Sequence, residues 1–223
     1  MAAGMDSTPP FPHPPAWAMA GLAALAAQDP RLAGIIPAAG PLPWRSREPG
    51  FPGLLRNICG QQISNQAAGA IWGRLSAIPG ALEPAGLLLL DDATLCGVAG
   101  LSRPKAAHAR SLATACVEGR LNFAALPGMS DAEALAHIAA VKGLGPWTAA
   151  VHLLFAEQRP DIFPPGDVAL AASAAHLLGL PERPSFKALT QLAEAWRPWR
   201  SLAARLLWHH WRFATGRPAG EAG

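Results

Sequence analysis

An all-α protein of about ten helices is the fold class this sequence predicts, on three observations. Ala and Leu dominate a chain that is 51% hydrophobic, β-branched residues are sparse and Tyr is absent, a composition that favours helix over sheet. Apolar residues recur at helical spacing, first at Leu54, Leu55, Ile58, Ile63, Ala67, Ile71 and Leu75. No stretch of four or more residues alternates cleanly between apolar and polar, and no fixed-period repeat is present. At 223 residues the chain is long enough to bury a substantial core.

Residues 1–15, rich in Pro and small polar residues, are expected to form a disordered tail, as are residues 216–223. A helix is predicted over Ala16–Gln28. The irregular Pro/Gly-rich stretch IIPAAGPLPWRSREPGFPG then leads out of an N-terminal segment, 16–50, into a core at 51–215. The first core helix runs from Leu54 until Pro79-Gly80 stops it. Further helices are predicted at about 84–90, 92–98, 103–118, 131–140, 147–158, 167–178, 185–196 and 199–214. Start signals support several of them: Ser130 and Glu133 make a capping box, and Ser102 precedes a helix with Pro104 in its first turn.

Net charge is +3 and the isoelectric point about 9.1, compatible with a polyanionic partner without establishing one. Fifteen Arg stand against three Lys (Lys105, Lys142, Lys187). Arg suits bidentate phosphate contacts, although a general bias towards Arg, Ala, Gly and Pro explains the ratio more simply. Cys59, Cys96 and Cys116 are odd in number and far apart, so neither a zinc site nor a disulfide framework is expected. The N-terminus lacks a basic region followed by an apolar one, and no apolar run is long enough to span a bilayer. A soluble cytoplasmic protein without membrane contact is the expectation.

Two abrupt turns carry the functional signal. In HIAAVKGLGPWTAAVHLLF, a helix, a short hairpin and a second helix follow one another. Gly143 and Gly145 permit positive φ and close approach of another backbone. Pro146 suits a first helical position, and the free N–H groups of the next turn, Thr148 among them, attract phosphate. Twenty-two positions after Gly145, Pro-Pro-Gly delivers a lone carboxylate, Asp167, at the start of another apolar run. An aspartate before a helix is ordinarily a capping residue, and Gly-x-Gly alone is ordinarily a helix end. Their combination with Pro-Trp-Thr-Ala is what stands out.

With ICGQQIS (58–64), KGLGPWTAA (142–150), DIFPPGDVAL (161–170) and AWRPWRSLAARLLWHHW (195–211), the chain resembles the helix-hairpin-helix DNA glycosylases that carry a Gly/Pro-rich loop and an aspartate. The 3-methyladenine DNA glycosylase II branch is the one it is most like, in the family's order over about residues 51–213. The resemblance implies a two-lobed helical bundle with a cleft between the lobes. It also implies a monomer acting on double-stranded DNA that contains a damaged base, with no cofactor.

Such enzymes cleave the N-glycosidic bond of a nucleotide flipped from the duplex. Asp167 takes the position of the carboxylate that stabilises an oxocarbenium-like sugar and orients water, and a helix N-terminus favours its anion. The hairpin, through Val141, Gly143, Gly145 and Thr148, grips the DNA backbone, with the carbonyls of Val141 and Gly143 able to hold a bridging monovalent cation. Trp147 and Trp208 match positions where rings line the base pocket, and an indole face attracts a cationic methylated purine. A third family aromatic falls at Val151 here. Gln62 matches the residue that some relatives insert into the gap left by the base, while Gln61 braces the turn. Both are also plausible as polar groups at a bend in the helix.

Bifunctional relatives carry a Schiff-base lysine where this chain has Trp147, so hydrolysis without strand cleavage is expected. The iron–sulfur cluster of some relatives needs four cysteines near the C-terminus, and none lies beyond Cys116. Lys142 stands where many members have Pro. Trp72, Trp196, Trp199 and Trp211 are expected in the core, and His152, His176, His209 and His210 are read as structural or surface residues, with His209 and His210 near the pocket mouth. Alkylated purines of the 3-methyladenine and 7-methylguanine type are the expected substrates. The alternatives are a glycosylase for deaminated, etheno or oxidised bases, a non-catalytic DNA-binding module, and a helical scaffold.

Overall fold

The computed structural model describes residues 13–216; residues 1–12 and 217–223, which hold most of the two expected tails, lie outside the described residues. Twelve α-helices follow one another, with no strand among the described residues. They are α1 (Ala16–Gln28), α2 (Pro30–Ala33), α3 (Ile35–Ala39), α4 (Gly50–Gly60), α5 (Asn65–Ser76), α6 (Pro84–Leu89), α7 (Arg103–Val117), α8 (Asp131–Ala139), α9 (Pro146–Phe155), α10 (Val168–Leu178), α11 (Phe186–Ala193) and α12 (Arg200–Thr215).

The helices sort into two packed groups: α4–α9 contact one another, and α1–α3 contact α12, which also packs on α10. Leu54, Leu55 and Ile58 of α4, Leu112 of α7 and Leu153 of α9 are sealed in the first group. Trp196, Leu202 and Leu207 are sealed in the second. The hairpin between α8 and α9 and the N-terminus of α10 stand at the junction.

Three expectations are corrected. The single helix from Leu54 towards Pro79 is two helices. Gln62 adopts a left-handed φ of 58°, which an α-helix cannot continue through, and the Ser64 hydroxyl accepts from Ala67 N at 3.3 Å to restart the chain as α5. The Pro/Gly-rich stretch is not irregular throughout, because α3 and the start of α4 form within it. Pro37 and Pro52 both fall in a first turn, where a missing N–H removes no helical bond, and burial of Ile35 and Leu54 supplies the drive. Of the four tryptophans expected in the core, only Trp196 is fully buried; its indole donates to Asp29 Oδ2 at 3.0 Å. Trp199 lies half-buried in a stack with Trp17, 6.1 Å between ring centroids.

Candidate active site

The segment leading to Asp167 is fixed from α12 and the residues just before it. Asp161 accepts from Arg200 Nε and Arg197 Nη1, both at 2.8 Å. The buried Ser201 hydroxyl accepts from Ile162 N at 2.9 Å and donates to Arg159 O. Pro164, Pro165 and Gly166, the last at φ 71°, then turn the chain into α10. Asp167 is its N-cap, with Oδ1 accepting from Leu170 N at 2.8 Å.

Two further donors meet the same carboxylate. Trp147, in the first turn of α9, donates its indole N–H to Oδ2 at 2.9 Å, and Trp208 of α12 donates to Oδ1 at 3.4 Å. Asp167 is therefore only 8% exposed yet surrounded by N–H groups, as a buried carboxylate requires. The structure brings together three of the residues singled out from sequence, and in a way not foreseen. The two indoles meet Asp167 through their N–H edges, and one face of Trp208 stacks on Phe155 at 5.5 Å.

The hairpin lies on the same side, through Trp147. Gly143 has φ 97°, and a Cβ there would meet the His108 ring at 2.4 Å, so no other residue fits. Gly145 differs from expectation: its φ is −77°, a conformation open to any residue, and the space where a Cβ would stand is empty. Among the described residues no acceptor meets the N–H groups of Gly143, Gly145, Trp147 or Thr148. The carbonyls of Val141 and Gly143 each already accept one hydrogen bond, from Leu144 N at 3.0 Å and Gln61 Nε2 at 2.9 Å. Gln61 thus ties the turn carrying the exposed Gln62 to the hairpin. Lys105 Nζ caps the end of α4 beside it, donating to Cys59 O at 2.8 Å.

Val151, one helical turn beyond Trp147, is 1% exposed and packs in the core beneath it. Beside Trp208 lies a recess that sequence reasoning did not single out, bounded by Leu42, Phe155 and Trp208 with Arg45, Arg205 and Arg212. The spacing of Arg205, Trp208, His209 and Arg212 along one face of α12 was the available signal.

Residues 55–198, which contain the hairpin, its glycine-rich turn and Asp167, match the family model of the HhH-GPD superfamily base excision DNA repair proteins. The chain belongs to this superfamily. Among its relatives is DNA-3-methyladenine glycosylase 1 of Schizosaccharomyces pombe, 28% identical over 165 residues, 73% of this chain and 72% of that protein. A DNA-3-methyladenine glycosylase of Saccharomyces cerevisiae is 34% identical over 54% of this chain and 44% of its own length. One Bacillus subtilis relative is spanned over only 37% of its length. A DNA-3-methyladenine glycosidase structure from Bacillus halodurans superposes with a TM-score of 0.76 at 33% identity, over 84% of this chain and 87% of that one. The S. pombe enzyme bound to abasic DNA also gives 0.76, at 25% identity over 92% of this chain and all of that one. The superfamily accounts for the helical fold with its hairpin and aspartate. No helix among the described residues is long and apolar enough to cross a membrane.

Proposed function

We propose that this chain is a monofunctional DNA glycosylase that hydrolyses the N-glycosidic bond of alkylated purines in duplex DNA. The observation that carries the proposal is the convergence of three N–H donors on Asp167 beside a hairpin in which the N–H groups of Gly143, Gly145, Trp147 and Thr148 meet no acceptor among the described residues. The hairpin amides would hold a phosphate and the extruded sugar would rest against Asp167. The carboxylate, fixed before the substrate arrives, stabilises the positive charge that grows on the sugar as the base departs. The same carboxylate orients the incoming water.

Water is the nucleophile because no lysine competes for C1′ among the described residues. Lys142 and Lys187 are exposed away from Asp167's hydrogen-bonding shell, and Lys105 Nζ is engaged by Cys59 O. Relatives named for 3-methyladenine support an alkylated purine as the departing base. The test is excision from duplex oligonucleotides carrying one lesion each, run with borohydride present. Base release with an intact abasic strand and no trapped protein–DNA adduct is expected; an adduct, or strand cleavage without alkali, would contradict hydrolysis.

A further inference from the structure

One face of α7 holds together two turns that lie far apart in sequence. Lys105 and His108, three positions apart and so on the same side of the helix, each meet one of them. Lys105 is 9% exposed, and its Nζ donates to Cys59 O at 2.8 Å, at the end of α4. The His108 ring packs under Gly143 so closely that no Cβ fits between them, and its Nδ1 is sealed from solvent without a partner. Gln61 closes the circuit, its Nε2 donating to Gly143 O at 2.9 Å. The contacts therefore run from α7 to the end of α4, across Gln61 to the hairpin, and back to α7.

Two unfavourable features meet at this circuit. Lys105 makes no ion pair among the described residues, and an ammonium kept from water without a carboxylate is destabilising. Gln62 is held at φ 58°, a left-handed conformation that is strained for any residue but glycine and that collects at functional sites. What they produce is a tip. Gln62 and Ile63 are both exposed, Ile63 at 38% although its place in the helical pattern predicts burial. Behind them Ser64 caps α5. An amide and a branched apolar side chain thus stand beside a hairpin whose Gly143 and Gly145 N–H groups meet no acceptor among the described residues.

We infer that Lys105 is a positioning residue for base extrusion: with Gln61 and His108 it fixes the hairpin and the Gln62–Ile63 tip as one unit, so that seating the hairpin on a strand places the tip at the base stack. The inference rests on the glycosylase proposal and adds how the base leaves the duplex. Gln62 fills the gap with an amide that meets the orphaned base, and Ile63 supplies the apolar surface that parts the neighbouring stack. Because the turn is formed before DNA arrives, its strained backbone is met in folding and adds nothing to the barrier of extrusion.

Lys105→Met keeps the apolar stem and removes the ammonium. Gln61→Met, at a half-buried position, removes the tie to Gly143 without touching the core, so the inference stays decidable if Lys105→Met lowers the melting temperature. The first readout needs no damaged base: a duplex with 2-aminopurine beside a tetrahydrofuran abasic analogue, whose fluorescence rises when the tip unstacks it. The parent should give this rise. Each variant keeps the phosphate contacts and should bind the duplex within about twofold of the parent while losing about half of the rise or more. The second readout is single-turnover excision of 7-methylguanine. Each variant should slow it about tenfold opposite cytosine and within about twofold opposite tetrahydrofuran, where no pair has to be opened. An unchanged fluorescence rise in both variants overturns the inference. So does an equal slowing on paired and unpaired lesions, which would make Lys105 and Gln61 supports of the fold alone. If the parent excises nothing, the glycosylase proposal fails in the second readout, and the first still decides whether Lys105 positions the tip.

Discussion

At the residue scale, Asp167 is held by donors from three origins: its own helix, the first turn of α9 and the middle of α12. Under the proposed function, each indole N–H would fix the carboxylate in the orientation that faces the sugar. Replacing Trp by Phe keeps the ring and removes the donor. A hydrogen bond to a charged group contributes about 1.5–3 kcal/mol, so Trp147→Phe is expected to slow single-turnover excision about tenfold to hundredfold. Trp208→Phe, losing a contact of 3.4 Å that is long for a strong bond, should cost less, within about fivefold. A larger loss for Trp208→Phe than for Trp147→Phe would show that the rings act through their faces. Asp167 could be singled out in the sequence because Pro-Pro-Gly and a fixed distance from the hairpin mark it. Of the recess arginines, Arg205 and Arg212 share one face of α12 with Trp208, but Arg45 could not be placed with them, since it comes from the N-terminal segment and only folding sets it against Arg205.

At the element scale, α10 and α12 carry Asp167 and Trp208, so their packing sets the site. Two histidines bridge them: His176 Nδ1 and His210 Nε2 lie 2.9 Å apart. Burial and then the neighbouring His176 and His209 hold His210 below the ordinary imidazole value of 6.5. A depressed folded value means that the unfolded chain takes up the proton first. Stability from this group is therefore complete above about pH 6.5 and is lost as pH falls through the lower folded value. His210→Gln, which still meets His176 with an amide, should flatten the fall in melting temperature between about pH 7 and pH 5. An identical acid limb in the variant would place the titration elsewhere. Helix positions were largely legible from period and caps, as at Ser102 and Ser130. The break between α4 and α5 was not, because Gln62 takes its positive φ from tertiary contacts: Gln61 is pulled onto Gly143 and Lys105 caps Cys59.

At the scale of the whole molecule, a net charge of +3 is small for a DNA-binding protein, and several arginines are occupied by Asp161, Asp131 and Glu194. Backbone amides would then share the phosphate contacts. The logarithm of affinity for duplex DNA should fall with the logarithm of salt less steeply than six neutralised phosphates require, a slope under about 5 in magnitude. A steeper slope would reveal a broad basic surface. The central claim is that the two turns form one device, the hairpin gripping the strand while the Pro-Pro-Gly turn holds a preorganised anion against the sugar. Asp167→Asn retains the size and capping ability of the side chain but removes the charge. The decisive measurement is single-turnover excision by this variant beside its affinity for the same lesion-containing duplex. Affinity should persist or rise, since a carboxylate near phosphates repels them, while the rate drops on the order of a hundredfold or more. A rate within a few-fold of the parent would mean that Asp167 only caps α10, and the mechanism would be wrong.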